Sequence, residues 1–205
     1  MPVRAAVATL AILSSGTGAA QDSTTYVVAP IRSELSGSDT VGALRSGLIC
    51  APAGKLRWTD VAHDPARAAR LTAATLADVG IRADMPADDR IGSPPAGERR
   101  LVGDVVRLSA SACLKQYGLL RKLSPKRSMS GRGEIAIRWR VHRTGVREPE
   151  ATFVTCAKFA LNGDAREPDA LLDEGIAAVA RELGDLLTGK ATNTKCGEAQ
   201  AKPAP

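Results

Sequence analysis

Aromatic residues are scarce in this sequence: Phe, Trp and Tyr together make up 3% of its 205 residues. Hydrophobic residues of all kinds still reach 44%, so the core must be built mainly from aliphatic side chains and alanine. Proteins that bind single-stranded nucleic acid stack bases on neighbouring aromatic side chains. Tyr117 and Trp139 are far apart in the sequence, and this argues against nucleic acid as a partner.

Long hydrophobic runs are also missing, because no segment holds the roughly 18 consecutive apolar residues that a membrane-spanning helix needs. The N-terminus instead shows Arg4, a short apolar run over residues 5–13 and small residues at 18–20. This order of charge, apolar run and small residues is typical of a secretory signal peptide. We therefore predict a signal peptide over residues 1–20, cleaved after Ala20, and a periplasmic or secreted protein.

The position of the first cysteine bears on membrane anchoring. A lipid anchor requires a cysteine directly at the cleavage site, whereas the first cysteine here is Cys50, so lipidation is not expected. The remaining chain is long enough for one domain with its own core. We predict a single domain over residues 21–190 and a polar, disordered tail over residues 191–205.

Cysteines are few, and they are widely spaced: Cys50, Cys113, Cys156 and Cys196. An even number in an exported protein predicts disulfides, with three possible connectivities. We expect Cys50 to pair with Cys113 and Cys156 with Cys196. A metal site is not expected, because no two cysteines are close enough for the usual ligand spacing.

Catalytic motifs are missing as well. The nucleophile elbow, the Ser-x-x-Lys set and the zinc-binding His-Glu-x-x-His motif do not occur. His63 and His142 are expected to be solvated or capping residues, and the acidic group Asp84, Asp88 and Asp89 to belong to a solubilising loop. No catalytic residue, metal ligand or cofactor is therefore predicted.

The hydrophobic pattern predicts five strands and two helices. Asp64 and Pro65 are typical of a helix start and Gly80 of its end. A second helix is predicted over residues 170–188, capped by Asp169 and followed by Gly189. The strands are predicted over residues 25–31, 41–50 (weakly, because of two glycines), 101–114, 134–143 and 151–161, with a turn at 34–40, a long loop at 82–99 and a basic connection at 117–131.

The last two strands form a predicted hairpin with two different faces. One face of its first strand carries Ile135, Ile137, Trp139 and Val141, and the other carries Ala136, Arg138, Arg140 and His142. Such alternation indicates a sheet with one buried face. Two amphipathic helices suffice to cover that face, with Trp58 as a hydrophobic plug under the first. The predicted fold class is α+β, a two-layer sandwich with a mostly antiparallel sheet and both helices on one face.

Basic residues are concentrated near this hairpin: ten lie between positions 115 and 147, where Glu134 is the only acid. One interpretation is a docking surface for an anionic partner. The other is an ordinary solvated strand face, where charges deter edge-to-edge aggregation. The candidate partner-binding residues are Lys126, Arg127, Arg138, Arg140 and Arg143. A double change of Arg138 and Arg140 to Glu is expected to leave folding nearly unchanged and to abolish partner capture.

The order of motifs resembles that of small bacterial envelope proteins of the YajG, LpoB, CsgG and TolB N-terminal type. The resemblance lies in the export signal, TYVVAP at 25–30, LADVG at 76–80, LVGDV at 101–105 and GRGEIAIRWRV at 131–141. A closing amphipathic helix completes it. Members of these families are mostly lipoproteins, whereas this chain lacks the lipidation cysteine. The resemblance implies a non-catalytic binding or assembly role and offers no catalytic residues.

Three functions remain open from the sequence. The first is an exported, non-enzymatic module that binds an envelope protein or another anionic envelope component. The second is a periplasmic hydrolase whose site is assembled from distant residues around His63 or His142. The third is a carrier of a small apolar ligand, held between sheet and helices. The oligomeric state is not predicted.

Overall fold

A computed structural model describes residues 24–61, 63–86, 98–117, 126–143, 145–165 and 169–191. Within these residues the chain forms eight strands, a short 3-10 helix and two α-helices. The predicted signal peptide, Asp88, Asp89 and the tail beyond residue 191 lie outside the described residues. The elements are β1 (Thr25–Val28), β2 (Arg32–Ser33), β3 (Thr40–Ser46), β4 (Ala51–Arg57), the 3-10 helix (Trp58–Val61), α1 (Pro65–Asp78), β5 (Ala83–Asp84), β6 (Glu98–Tyr117), β7 (Lys126–Arg143), β8 (Ala151–Ala165) and α2 (Asp169–Leu187).

All eight strands belong to one mixed sheet that is organised around the long strand β6. Along one edge of β6, strands β1, β2 and β3 pair with it in parallel, one after the other. Along the other edge β7 pairs with β6 antiparallel, and β8 pairs antiparallel with β7. The α+β class is confirmed, but the expectation of a mostly antiparallel sheet is wrong. Helix α1 lies between β3 and β6 in sequence, and such a crossover allows parallel pairing.

Both helices begin and end where the sequence indicates. The Asp64 carboxylate accepts hydrogen bonds from the backbone N–H groups of Ala66 and Arg67, at 2.9 and 3.1 Å. Pro65 occupies the first turn of α1, where a missing N–H costs nothing. Gly80 and Gly189 follow the two helices with φ of +86° and +71°, a conformation that glycine adopts without strain.

The predicted core face of the hairpin is confirmed. Ile135, Ile137 and Trp139 are fully buried, and Gly175 of α2 packs against Ile135. The Trp139 indole N–H donates a 2.7 Å hydrogen bond to the hydroxyl of Thr155 on β8, so its one polar group is satisfied. The predicted burial of Trp58 is confirmed: it lies in the 3-10 helix that precedes α1 in the sequence.

The predicted strands differ from the observed ones in three places. The supposed basic connection is partly strand, because β7 begins at Lys126 and pairs with the end of β6. The supposed long loop contains β5, which pairs with β1 through Tyr26 and Val27. Strand β4, which forms an antiparallel hairpin with β3, was missed. Its residues are exposed except Leu56, so it lacks the alternation that identifies a strand.

Candidate functional site

The candidate site is the arginine surface, which we define as Arg138, Arg140 and Arg143 of β7. Arg138 and Arg140 alternate with Ile137, Trp139 and Val141, so they point away from the helices. Their side chains are 42% and 41% exposed, and that of Arg143, at the strand end, is 64% exposed. The structure therefore leaves these three side chains partly accessible to a partner.

Each of the three arginines is nevertheless paired with a carboxylate. Arg138 donates to Glu34, in the turn after β2, at 2.5 Å. Arg140 forms an ion pair with Asp104 of β6, whose side chain is only 8% exposed. The surface is thus a network of mixed charge, in contrast to the cationic face that the sequence suggested.

The third pair closes the end of the β7–β8 hairpin. Arg143 donates through Nε and Nη2 to the two carboxylate oxygens of Glu150, at 3.0 and 2.9 Å. Arg99 of β6 reaches the same carboxylate at 3.3 Å. The hydrogen bonds from Arg143, with the charge of Arg99 added, hold the pKa of Glu150 below its usual value. The same contact raises the pKa of Arg143.

The other two candidate binding residues are at the start of β7. The backbones of Lys126 and Arg127 pair with Tyr117 and Gln116 at the far end of β6. Their side chains lie outside the described part of the molecule. Lys126 and Arg127 therefore lie on the same strand as the arginine surface, at its opposite end, and their membership of that surface stays a prediction.

His63 occupies a different environment from the one predicted. Its ring is half-buried, lies with its centroid 5.2 Å from that of Trp58, and places Nε2 2.9 Å from the carbonyl oxygen of Ile31. Asp64, and not His63, caps the helix, so the prediction of a solvated or capping histidine is wrong for this residue. Burial lowers the pKa of His63, and the Ile31 carbonyl and Asp64 oppose that effect.

The tautomer of His63 follows from its one hydrogen bond. A carbonyl oxygen only accepts, so Nε2 must carry the proton and Nδ1 the lone pair. Nδ1 is buried and has no hydrogen-bond partner in the described part of the chain. This arrangement stabilises the neutral ring and keeps its basic nitrogen away from solvent, so the hydrolase interpretation gains nothing from His63. His142 lies on β7, opposite Arg100.

The cysteine prediction is confirmed where the structure describes it. Cys50, after the turn that follows β3, is disulfide-bonded to Cys113 of β6, with a Cα–Cα distance of 5.5 Å. Cys156 of β8 is also disulfide-bonded. Its predicted partner Cys196 lies outside the described residues, so that pairing stays a prediction. Across the described residues, no group of three or more His, Cys, Asp or Glu side chains could hold a metal ion.

The carboxylates of the arginine surface were missed by sequence reasoning. Asp104 carried a usable signal, since an acid within the apolar strand sequence LVGDVV needs a partner when it is buried. Glu34 carried none, because it is 104 residues from Arg138 in a segment of turn composition.

None of the helices in the described ranges is both long and apolar enough to cross a membrane.

Comparison with known proteins gives structural neighbours and no family. No family model matches the chain, and no curated protein matches it. A DUF330 protein from Xanthomonas campestris is 14% identical, with a TM-score of 0.45 over 82% of this chain and 86% of that one. A candidate lipoprotein from Caulobacter crescentus is 17% identical, with a TM-score of 0.32 over 62% of this chain and 87% of that one. An uncharacterized protein is 10% identical, with a TM-score of 0.38 over 80% and 92%.

These similarities are too weak to carry an argument about function. The α+β class therefore rests on the strands and helices of the chain itself. The resemblance to the YajG, LpoB, CsgG and TolB N-terminal types remains a prediction from the sequence.

Proposed function

We propose that this chain is an exported, non-enzymatic binding or assembly module of the bacterial cell envelope, which contacts an anionic partner through the arginine surface. The observation that carries the proposal is the exposure of the Arg138 and Arg140 side chains on the sheet face that points away from the helices, with the exposed Arg143 side chain at the end of the same strand. The N-terminal residues 1–20 and the disulfide between Cys50 and Cys113 support an oxidising compartment.

The existing ion pairs set how such a partner would bind. A guanidinium carries five N–H donors, and Arg138 uses one of them on Glu34. A phosphate or carboxylate from a partner can use the remaining donors of Arg138 and Arg143 without breaking the pairs inside the protein. Because Glu34 and Glu150 lower the local positive potential, binding should be modest in affinity and sensitive to salt.

The first experiment is crosslinking of the tagged protein in its host cell, followed by mass spectrometry of captured molecules. The test variant is Arg138→Gln with Arg143→Gln, which leaves the pair between Arg140 and buried Asp104 intact. The matched control is Arg67→Gln, since Arg67 pairs with Asp173 between the helices, away from the sheet face. We expect one dominant envelope component to be captured by wild type and by the control, and lost in the double variant.

A second variant moves the result in the opposite direction. Glu34→Gln removes the carboxylate that occupies Arg138, so it should strengthen capture of an anionic partner. Equal capture by wild type, the double variant and Glu34→Gln would show that the arginine surface is ordinary solvated surface.

Alkylation tests the compartment separately: four reactive thiols in the exported protein would contradict an oxidising compartment.

A further inference from the structure

The turn between β3 and β4 exposes two large aliphatic side chains next to each other. Leu48 is 69% exposed and Ile49 is 88% exposed. Among the described residues, the one other large hydrophobic side chain in this class is Val146, which is 51% exposed in the β7–β8 turn. Two adjacent apolar residues at the tip of one hairpin are therefore the most exposed hydrophobic feature that the structure describes.

The hairpin behind this tip is mostly exposed. Residues 51–55 of β4 are all exposed, including positions that point to opposite faces of the strand. On β3 the first buried residue is Val41, and the residues from Arg45 to the turn are exposed. Leu48 and Ile49 thus lie at the tip of a mostly exposed hairpin and cover nothing in the described molecule.

This tip is fixed in place. Cys50, directly after Ile49, is bonded to Cys113 of β6. The N–H of Gly47 donates to the Leu114 carbonyl at 3.0 Å, and the N–H of Cys50 donates to the Gly47 carbonyl at 3.2 Å. A covalent and hydrogen-bonded anchor holds the two side chains toward solvent, so a partner would not have to order the turn on binding.

The charges around the tip have one sign. Residues 40–57 contain no Asp or Glu, and they contain Arg45, Lys55 and Arg57, all exposed. Within the described residues Arg45 and Lys55 form no ion pair, unlike the three arginines of the arginine surface. The hairpin therefore combines an apolar end with uncompensated positive charge along its length.

We infer that the β3–β4 hairpin docks on the surface of an anionic phospholipid bilayer, with Leu48 and Ile49 inserted at the boundary between headgroups and acyl chains and Arg45 and Lys55 at the phosphates. This combination is what interfacial membrane binding requires. A protein hot spot would favour aromatic side chains, and residues 40–57 contain none. Strand addition at the free edge of β4 is opposed by Pro52 and Lys55.

The test is co-sedimentation of the purified exported protein with vesicles of phosphatidylglycerol and phosphatidylethanolamine, compared with phosphatidylcholine vesicles. Leu48→Ser with Ile49→Ser should lower the partition coefficient by about tenfold or more. Val146→Ser is the matched control, because it removes an exposed aliphatic side chain at the other hairpin end. Arg45→Glu with Lys55→Glu should also lower binding by about tenfold or more at low salt, and Arg147→Glu with Lys158→Glu should not.

Insertion itself is measured with Ile49→Trp. Because Trp58 and Trp139 are buried, a blue shift and quenching by brominated lipid would report the new residue. Binding that survives in the tip variant, that is equal on phosphatidylcholine, or that is absent in wild type would overturn the inference. So would tip-dependent capture of a protein without vesicle binding. These variants leave the arginine surface unchanged. A negative vesicle result would therefore contradict membrane docking by the hairpin without affecting partner capture by the arginine surface.

Discussion

The β3–β4 and β7–β8 hairpins lie in the same sheet, but they are held by different forces. In β7–β8, alternate residues such as Ile135 and Trp139 are fully buried, and the outward arginines are paired with carboxylates. In β4, Leu56 alone is buried, and the hairpin has no acid of its own. The β7–β8 hairpin is stabilised by side-chain burial, whereas the β3–β4 hairpin depends on backbone pairing with β6 and on the disulfide between Cys50 and Cys113.

Removing that disulfide should have the largest effect. The bridge joins residues separated by 63 positions, and closing a loop of that size is worth about 4 kcal/mol in the chain-entropy model. Cys50→Ser with Cys113→Ser should therefore lower the free energy of unfolding by about 2–4 kcal/mol, measured by urea denaturation. Hydrogen exchange should accelerate more in β3–β4 than in β7–β8. Equal acceleration would show that the bridge does not stabilise the β3–β4 hairpin in particular.

The same difference explains which hairpin the sequence predicts. Burial of one face imposes an alternating pattern on β7, so Ile135, Ile137 and Trp139 identify a strand without any knowledge of its neighbours. The β4 sequence APAGKLR has almost no buried face and so shows no such period. Its Pro52 and Gly54 are typical of loops, and its strand conformation comes from pairing with β3, which a local pattern cannot show.

The candidate site divides in the same way. Arg138 and Arg140 were predicted because their positions follow from the strand period, and Arg143 because it lies in the same basic stretch of sequence. Their partners Glu34 and Asp104 come from other elements, and sequence separation hides such contacts. The sign of a charged surface therefore depends on tertiary pairing: of the ten basic residues between positions 115 and 147, Arg138, Arg140 and Arg143 are paired with carboxylates.

Gly42 of β3 lies in close contact with β6, whereas Gly54 of β4 has no such contact. A Cβ atom added at Gly42 would lie 1.7 Å from the carbonyl oxygen of Ala110 on β6, at a φ of +157°. Gly42→Ala should therefore force the two strands apart and cost about 3 kcal/mol of unfolding free energy. Gly54→Ala in β4 is the matched control, because a Cβ there meets nothing within 4 Å at a nearly identical φ. If both variants unfold at the same urea concentration, close packing of β3 on β6 is not what requires glycine.

Two arginines of β7 form ion pairs of different burial. The pair of Arg140 with Asp104 is half-buried, and the pair of Arg138 with Glu34 is exposed. Arg140→Gln leaves the Asp104 carboxylate buried without its cation and should cost about 1–2 kcal/mol. Arg138→Gln releases Glu34, which is already 46% exposed, and should cost roughly 0.5 kcal/mol or less. Thermal and urea unfolding of the two single variants measure the difference.

This contrast revises the double change to Glu that the sequence suggested. A Glu at position 140 would add a second negative charge beside buried Asp104, so we now expect Arg138→Glu with Arg140→Glu to be destabilised. Equal stability of the two Gln variants would instead show that Asp104 is adequately solvated without Arg140.

The smallest effect is a titration at the end of the β7–β8 hairpin. Arg143 holds the pKa of Glu150 below the ordinary value of 4.5, so this carboxylate favours the folded state above that pH. Its contribution is lost as the pH falls through the lowered pKa, because the folded state then takes up the proton.

Arg143→Gln should raise the pKa of Glu150 toward 4.5, observed by NMR of the side-chain carboxyl carbon. Lys158→Gln, a change of charge on β8 that removes no hydrogen bond to Glu150, should leave that pKa unchanged. An unchanged titration in Arg143→Gln would mean that Arg99 alone sets the Glu150 pKa. The β3–β4 hairpin has no carboxylate between residues 40 and 57, so it should show no local response over the same pH range.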